Sequence, residues 1–299
     1  MSTTITPGFT GYAVTDLTGT KKNLRFQTCS LNAEQAVEAP DLVMGDYTHN
    51  AWAYGKIEVG GSISGPMTEN SMDFIDYVWS GNADIDVKYY NGFTRRYKNM
   101  WANSLTLNVN AGEVTSFSMD LIGKGFSTTD TGEMDPYTTT EKLLTWDKCA
   151  LYFGTQSTAP TGSESNVLAD LQSFSITITN NITRQFVIRA SDLYGDLVRG
   201  MSAVTGNLVS YTLKNATNYS SYQQFGAGAE QRDAYANDDY YPIKFMVGPA
   251  HYVYCTVVFH RATSELSTGP VLTTLAFTGI GHWGGNNLFT PEHSIIGSV

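Results

Sequence analysis

The sequence predicts an all-β protein with short flanking helices, built as two tandem β-sandwich or half-barrel units related by internal duplication. Three observations predict it. Apolar residues alternate with Ser, Thr and Asn over several runs, the period that puts them on one face of a strand. The polar load falls on Ser, Thr, Asn and Gly, since only 15% of residues are charged, well under the usual quarter or so. And the pattern of the first half recurs in order in the second.

The elements follow along the chain. Pro66 stands where a helix can begin, because its missing N–H costs nothing in the first turn. Met72, Ile75 and Trp79 then recur at helical spacing, and Gly81 can end the helix. Leu105, Leu107 and Val109 alternate with polar residues, Asn110-Ala111-Gly112 reads as a turn, and Phe117, Met119 and Leu121 alternate in a return strand. A second short helix is expected at Tyr219, Tyr222 and Phe225, stopped by Gly226. The run from His251 to His260 places Val253, Cys255, Val257 and Phe259 on one face. A loop containing Gly269-Pro270 leads on to Val271, Thr273, Leu275 and Phe277. Residues 126–140 and 154–166 are polar, Pro/Gly-punctuated connections. Residues 284–299 have little periodicity and read as an arm.

The internal match has four parts. Gln27, Cys29 and Leu31 parallel Phe174, Ile176 and Ile178. Val59, Gly61 and Ile63 parallel Val204, Gly206 and Leu208, and the helix stops Gly81 and Gly226 keep that displacement. Leu121-Ile122-Gly123-Lys124-Gly125 parallels Phe277-Thr278-Gly279-Ile280-Gly281 at a larger displacement, absorbed by a longer second hairpin region. The expected organisation is a first unit at 1–125, a connecting insertion at 126–145, a second unit at 146–283 and an arm at 284–299. A Gly inside a strand marks a bulge or a close backbone approach. Gly61 and Gly206 are therefore expected to kink a sheet around a curved surface.

Charge and motifs narrow the function. A net charge of −10 argues against nucleic-acid binding, which needs cations against phosphates. Cys29, Cys149 and Cys255 are odd in number and far apart, and read as free thiols of a reducing compartment. The N-terminus has no signal-peptide pattern, and no apolar run is long enough for a membrane helix. The sequons at Asn181, Asn215 and Asn218 then read as chance matches. His49, His251, His260, His282 and His293 form no metal-binding pair, and His251 and His260 have opposite parity on one strand. No nucleophile elbow or phosphate loop occurs. Asp130, Glu133 and Asp135, or Asp238-Asp239, could in principle meet a hard cation but read better as solvated loops. No catalytic, cofactor-binding or metal site and no cofactor is expected, and the chain is read as no enzyme. A hydrolase would need a clustered acid/base pair, which the sequence does not offer.

Several segments resemble the major tail tube proteins of long-tailed bacteriophages. They are GGSISGP (60–66), NSLTLNVNAGEVTSFSMDLIGKG (103–125), WDKCALYFG (146–154), LQSFSITITNN (171–181) and LVRGMSAVTGNLVSYTL (197–213). The likeness spans roughly residues 20–283, and its most specific part is a strand followed by Asn-Asn, Arg and Gly-x-x-x-Val-x-Gly-x-Leu. The resemblance implies a structural virion protein that forms stacked rings around a genome channel. Inner sheets of neighbours would join into one barrel, with three two-unit chains per ring or, alternatively, six chains. It implies a tail location with assembly in the host cytoplasm. The implied partners are further copies of the chain, the tape measure protein, terminator and baseplate proteins, and a sheath if the tail contracts. Viral DNA would pass without specific binding, and no membrane is involved. The lumen should be neutral or acidic. The alternative is a carbohydrate-recognition module of a fibre or baseplate, with exposed coplanar aromatics in a groove.

Overall fold

The computed structural model describes residues 9–15, 21–24, 26–38, 53–68, 71–79, 81, 83–89, 94–127, 142–153, 171–186, 196–211, 241–248, 251–265 and 272–279. Its first half contains β1 (Phe9–Thr15), β2 (Lys21–Leu24), β3 (Thr28–Cys29), β4 (Asn32–Glu38), β5 (Ala53–Pro66), α1 (Ser71–Trp79), β6 (Ala83–Tyr89), β7 (Thr94–Asn110), β8 (Ser116–Gly123) and β9 (Gly125–Ser127). A 3-10 turn at Trp146–Lys148 leads to β10 (Cys149–Phe153), β11 (Leu171–Thr179), β12 (Thr183–Gln185), β13 (Asp196–Val198), β14 (Ala203–Tyr211), β15 (Tyr241–Val247), β16 (His251–Glu265) and β17 (Leu272–Gly279). Among the described residues, fifteen strands form one continuous antiparallel sheet, and β12 and β13 form a separate two-stranded sheet. The all-β reading holds.

The two long strands explain how one sheet makes two layers. The N-terminal part of β7 pairs with β6 and β9, and its C-terminal part pairs with β8 and β11. A bulge between Ala102 and Ser104 divides the parts. β16 is divided in the same way: it pairs with β15 up to Val257 and with β17 from there on, with a bulge between Phe259 and Arg261. Bulges bend and twist a strand, so each long strand can pass from one layer to the other. Buried Tyr97 then ties the layers together, its hydroxyl donating to the Leu31 carbonyl at 2.7 Å.

The strand order of the two halves is the same. In the first it runs β4-β5-β8-β7-β6-β1, and in the second β11-β14-β17-β16-β15-β10. The halves meet where β11 pairs with β7, from Ser173 opposite Asn110 to Thr179 opposite Ser104. One detail of the internal match is corrected. Cys29 lies opposite Ile63, and Phe174 lies opposite Leu208. If Ile63 answers to Leu208, then Cys29 answers to Phe174, not to Ile176. A slip by two residues keeps every side chain on its face, so alternation alone could not detect it.

The first hairpin matches expectation: Leu105 lies opposite Met119 and Leu107 opposite Phe117, all buried. In the second, Val253, Cys255, Val257, Leu275 and Phe277 are buried, and β16 runs five residues beyond His260. The helix buries Met72, Ile75 and Trp79 as expected, and also Phe74 and Val78. It packs against β2 and β7. Its start differs from the expectation. Pro66 ends β5, opposite Ser116. The helix begins instead at Ser71, whose Oγ accepts a hydrogen bond from the Thr68 N–H at 2.8 Å. Gly81 is the expected stop, with φ +90° and its N–H donating to the Val78 carbonyl. Phe126 and Ser127, expected in a connection, belong to β9. The second helix (219–226), the rest of 126–140, residues 154–166 and the arm lie outside the described residues.

A polar sheet face as candidate functional site

Strands β7, β8, β11, β14 and β17 lie side by side, and their alternation separates two faces. The buried face carries Leu105, Leu107, Phe117, Met119, Phe174, Ile176, Leu208 and Phe277. The other face is built from hydroxyls and amides, including Ser104, Thr106, Asn108, Ser118, Ser175, Thr177, Thr205 and Asn207. Over residues 104–110, 116–122, 173–179, 203–211 and 272–278 the one charged residue is Asp120. β3, β4 and β5 extend this face with Thr28, Ser30, Asn32, Glu34, Glu58, Ser62 and Ser64.

Short hydrogen bonds link these side chains across strands. Thr106 and Thr177 hydroxyls are 2.9 Å apart, bridging the two halves. Ser175 donates to Asn108 Oδ1 at 2.7 Å, and Ser104 to Asp120 Oδ2 at 2.7 Å. Thr28 and Ser64 hydroxyls are 2.6 Å apart, and those of Ser30 and Ser62 3.0 Å. Such cross-strand pairs stiffen a sheet by a few tenths of a kcal/mol to about 1 kcal/mol each. They also give the hydroxyls and amides of these pairs partners within the face.

At one end of this face the β11–β14 connection folds back onto the first half. Buried Asn180 donates from Nδ2 to the Ala102 carbonyl at 2.8 Å, and its N–H to the Asn103 carbonyl at 2.7 Å. The Ile182 N–H donates to Asn103 Oδ1 at 2.8 Å. Asn103 is the extra residue of the β7 bulge, which turns its side chain to this task. Arg184 donates to the Val59 carbonyl at 2.7 Å and stands 3.6 Å from Glu58. Lys124 pairs with Asp196, while Ile182 and Leu197 pack on Trp101 and Ile122. The hydrogen bond from Lys56 holds the Glu58 carboxyl below its ordinary pKa, with Arg184 adding to the effect. This clamp gives the Asn-Asn and Arg of the resemblance a physical role. Sequence reading noted them as a pattern but did not connect them to the other half.

Along β3–β5, β7, β8, β11, β14 and β17 the face therefore carries scattered acids, hydroxyls and amides, with Lys56 and Arg184 at the margin beside Glu58. Among the described residues, these strands offer phosphates no array of Lys and Arg. The chain matches the model of the phage tail tube protein family over residues 2–279. It belongs to that family. Among curated proteins, none matches the chain. This tail tube protein is a structural component of the virion tail, assembled in the host cell, and its family is not one of enzymes. The candidate loop acids Asp130, Glu133, Asp135, Asp238 and Asp239, and His49, His282 and His293, lie outside the described residues. Of His251 and His260 the backbone alone is described, and the β16 bulge falls at His260.

Proposed function

We propose that this tail tube protein closes into rings of three chains, with the polar face of the sheet lining a channel for the genome. Each chain then supplies two copies of one unit, giving pseudo-six-fold symmetry, and the rings stack into a tube. The observation that carries this reading is the shared strand order of the halves, joined edge to edge at β7 and β11. One joint of that kind inside the chain supplies a pattern for the joint between chains. Closure, not an open filament of units, requires the six joints together to turn the sheet through one full circle with no rise along the axis.

The lumen reading rests on charge. A channel lined by Ser, Thr and Asn, with acids and few cations, lets a polyanion pass without sticking. The tape measure protein, terminator, baseplate and any sheath remain the proposed neighbours. Six chains per ring is the competing stoichiometry. Cryo-electron microscopy of purified protein tests the proposal through ring symmetry and lumen chemistry. Rings of three chains with a Ser/Thr/Asn-lined bore are expected. A bore lined by Lys and Arg, or a chain that stays monomeric at high concentration, would reject it.

A further inference from the structure

Among the described residues, two sheet edges end the ladder of the joined halves. β3 and β4 pair on one side alone, with β5. The part of β16 beyond its bulge pairs on one side alone, with β17. In the second half, the strand that answers to β4 is β11, and β11 covers the corresponding part of β7. We infer that the β3–β4 edge of one chain pairs antiparallel with β16 of the next in the register that β11 adopts on β7. This rests on the ring proposed above and specifies its joint.

The register comes from two alignments. Gly61 answers to Gly206, so Gly60 answers to Thr205. Asn32 lies opposite Gly60, and Thr177 lies opposite Thr205. Asn32 therefore takes the place of Thr177, and Glu34 that of Thr179. On the other strand the bulges align, so Ser104 answers to Arg261 and Thr106 to Thr263. Within the chain, Thr177 lies opposite Thr106 and Thr179 opposite Ser104. Between chains the same pairing sets Asn32 opposite Thr263 and Glu34 opposite Arg261.

Charge supports this register independently. Glu34 lies opposite Glu58 within its own chain, a like-charged pair that weakens a ladder. Lys56 and Arg184 both approach Glu58. An arginine arriving opposite Glu34 would give that carboxylate its own cation. A register shifted by two residues sets Glu34 opposite Thr263 and loses the match.

The Asn180 N–H bonded to the Asn103 carbonyl places Thr177 and Thr106 at a non-hydrogen-bonded position of the ladder, where facing side chains come closest. Cysteines at the equivalent sites can then form a disulfide. The test is Asn32→Cys with Thr263→Cys in the full chain, oxidised with diamide, which takes up the two thiol protons and electrons. The wild-type chain, with its three native cysteines, is the control. Expected are reductant-sensitive covalent species that stop at the trimer, with Ser30→Cys plus Thr263→Cys staying monomeric. A ladder reaching six supports the edge pairing and overturns three-chain closure. Cross-linking by the off-register pair overturns the register. Rings by microscopy without cross-linking of the first pair overturn the edge assignment while the ring proposal stands. Wild-type protein that forms no rings overturns both. If the cysteine variant does not assemble, charge exchange decides. Glu34→Arg and Arg261→Glu should each lower ring yield on the order of tenfold, and the double exchange should restore it. Failure of the double exchange to restore rings overturns the proposed pair.

Discussion

The two halves of the chain use one strand order and fill it differently. Where the second half stacks Phe174 on Phe245 at 4.3 Å and near Phe277 at 5.9 Å, the first half has the smaller Cys29 and Leu121 at the positions that answer to Phe174 and Phe277. Where the first half has Gly61 at φ +140°, pressed on the Ser30 carbonyl, the second has Gly206 beneath the Phe277 ring and the Ser175 carbonyl. Ser30 and Ser175 occupy answering positions, so both glycines meet the same neighbouring strand. The difference lies in the backbone. Gly61 needs a conformation that L side chains rarely adopt, whereas Gly206 needs space alone. Strand order and close approach are thus common to both halves, while core volume and backbone strain are particular to each.

The largest expected effect tests that distinction. Gly61→Val combines positive-φ strain with a Cβ 2.4 Å from a backbone oxygen, and should cost about 4 kcal/mol or more. Gly206→Val also meets a backbone oxygen at 2.4 Å, without the backbone strain, and should cost less. Urea unfolding of both variants measures the difference, and a reversed order would break the comparison. Next is the core. Phe174→Ala should cost about 3 kcal/mol, whereas Cys29→Ala, at a half-buried site, should stay within about 1 kcal/mol. Equal losses would mean that the aromatic stack contributes no more than the smaller residues opposite it in the pattern. Asn180→Ala removes the bond to the Ala102 carbonyl and should cost about 1–2 kcal/mol. Faster hydrogen exchange at the Ile182 amide, with exchange at Leu107 unchanged, would place the loss in the clamp.

The smallest effect at neutral pH concerns Cys255. Burial pushes its thiol up to about 12 from 9.0. The folded chain keeps this proton while the unfolded chain releases it. The contribution is full below pH 9 and falls by up to about 1.4 kcal/mol per pH unit as the pH climbs toward 12. Replacing Cys255 with Ala should flatten that part of the stability curve. In the folded protein, iodoacetamide should label the half-buried Cys29 and Cys149 before Cys255.

Much of the fold was legible because alternation reports which face a residue takes. Leu105, Leu107, Phe117, Met119, Leu121, Val253, Cys255, Val257, Leu275 and Phe277 are placed on that basis, and all are buried. Register is less legible, since a slip of two residues preserves alternation: with Ile63 matched to Leu208, strand pairing sets Cys29 against Phe174, where alternation alone allows Ile176. Pro66 fits β5 because it lies opposite Ser116 at a position where the ladder to β8 needs no N–H, the neighbouring bond running from the Met67 N–H to the Thr115 carbonyl, and the signal for the helix start lies in Thr68 and Ser71. The polar face was visible strand by strand as runs of Ser and Thr. Its extent depends on which strands are neighbours, and β7 beside β11 cannot be read from either strand alone. The clamp was hidden for the same reason, because Asn103, Asn180 and Arg184 act on distant backbone.

The pairing of β7 with β11 also bears on how assembly depends on concentration. These strands belong to one polypeptide, so their effective concentration is set by the linking chain, of order millimolar for a flexible tether, and not by how much protein is present. That joint forms during folding. In the proposed ring such joints alternate with joints that must wait for another molecule. Dilution would then dissolve every second seam and leave the intervening ones closed, so the smallest particle released would be a ready-made pair of units.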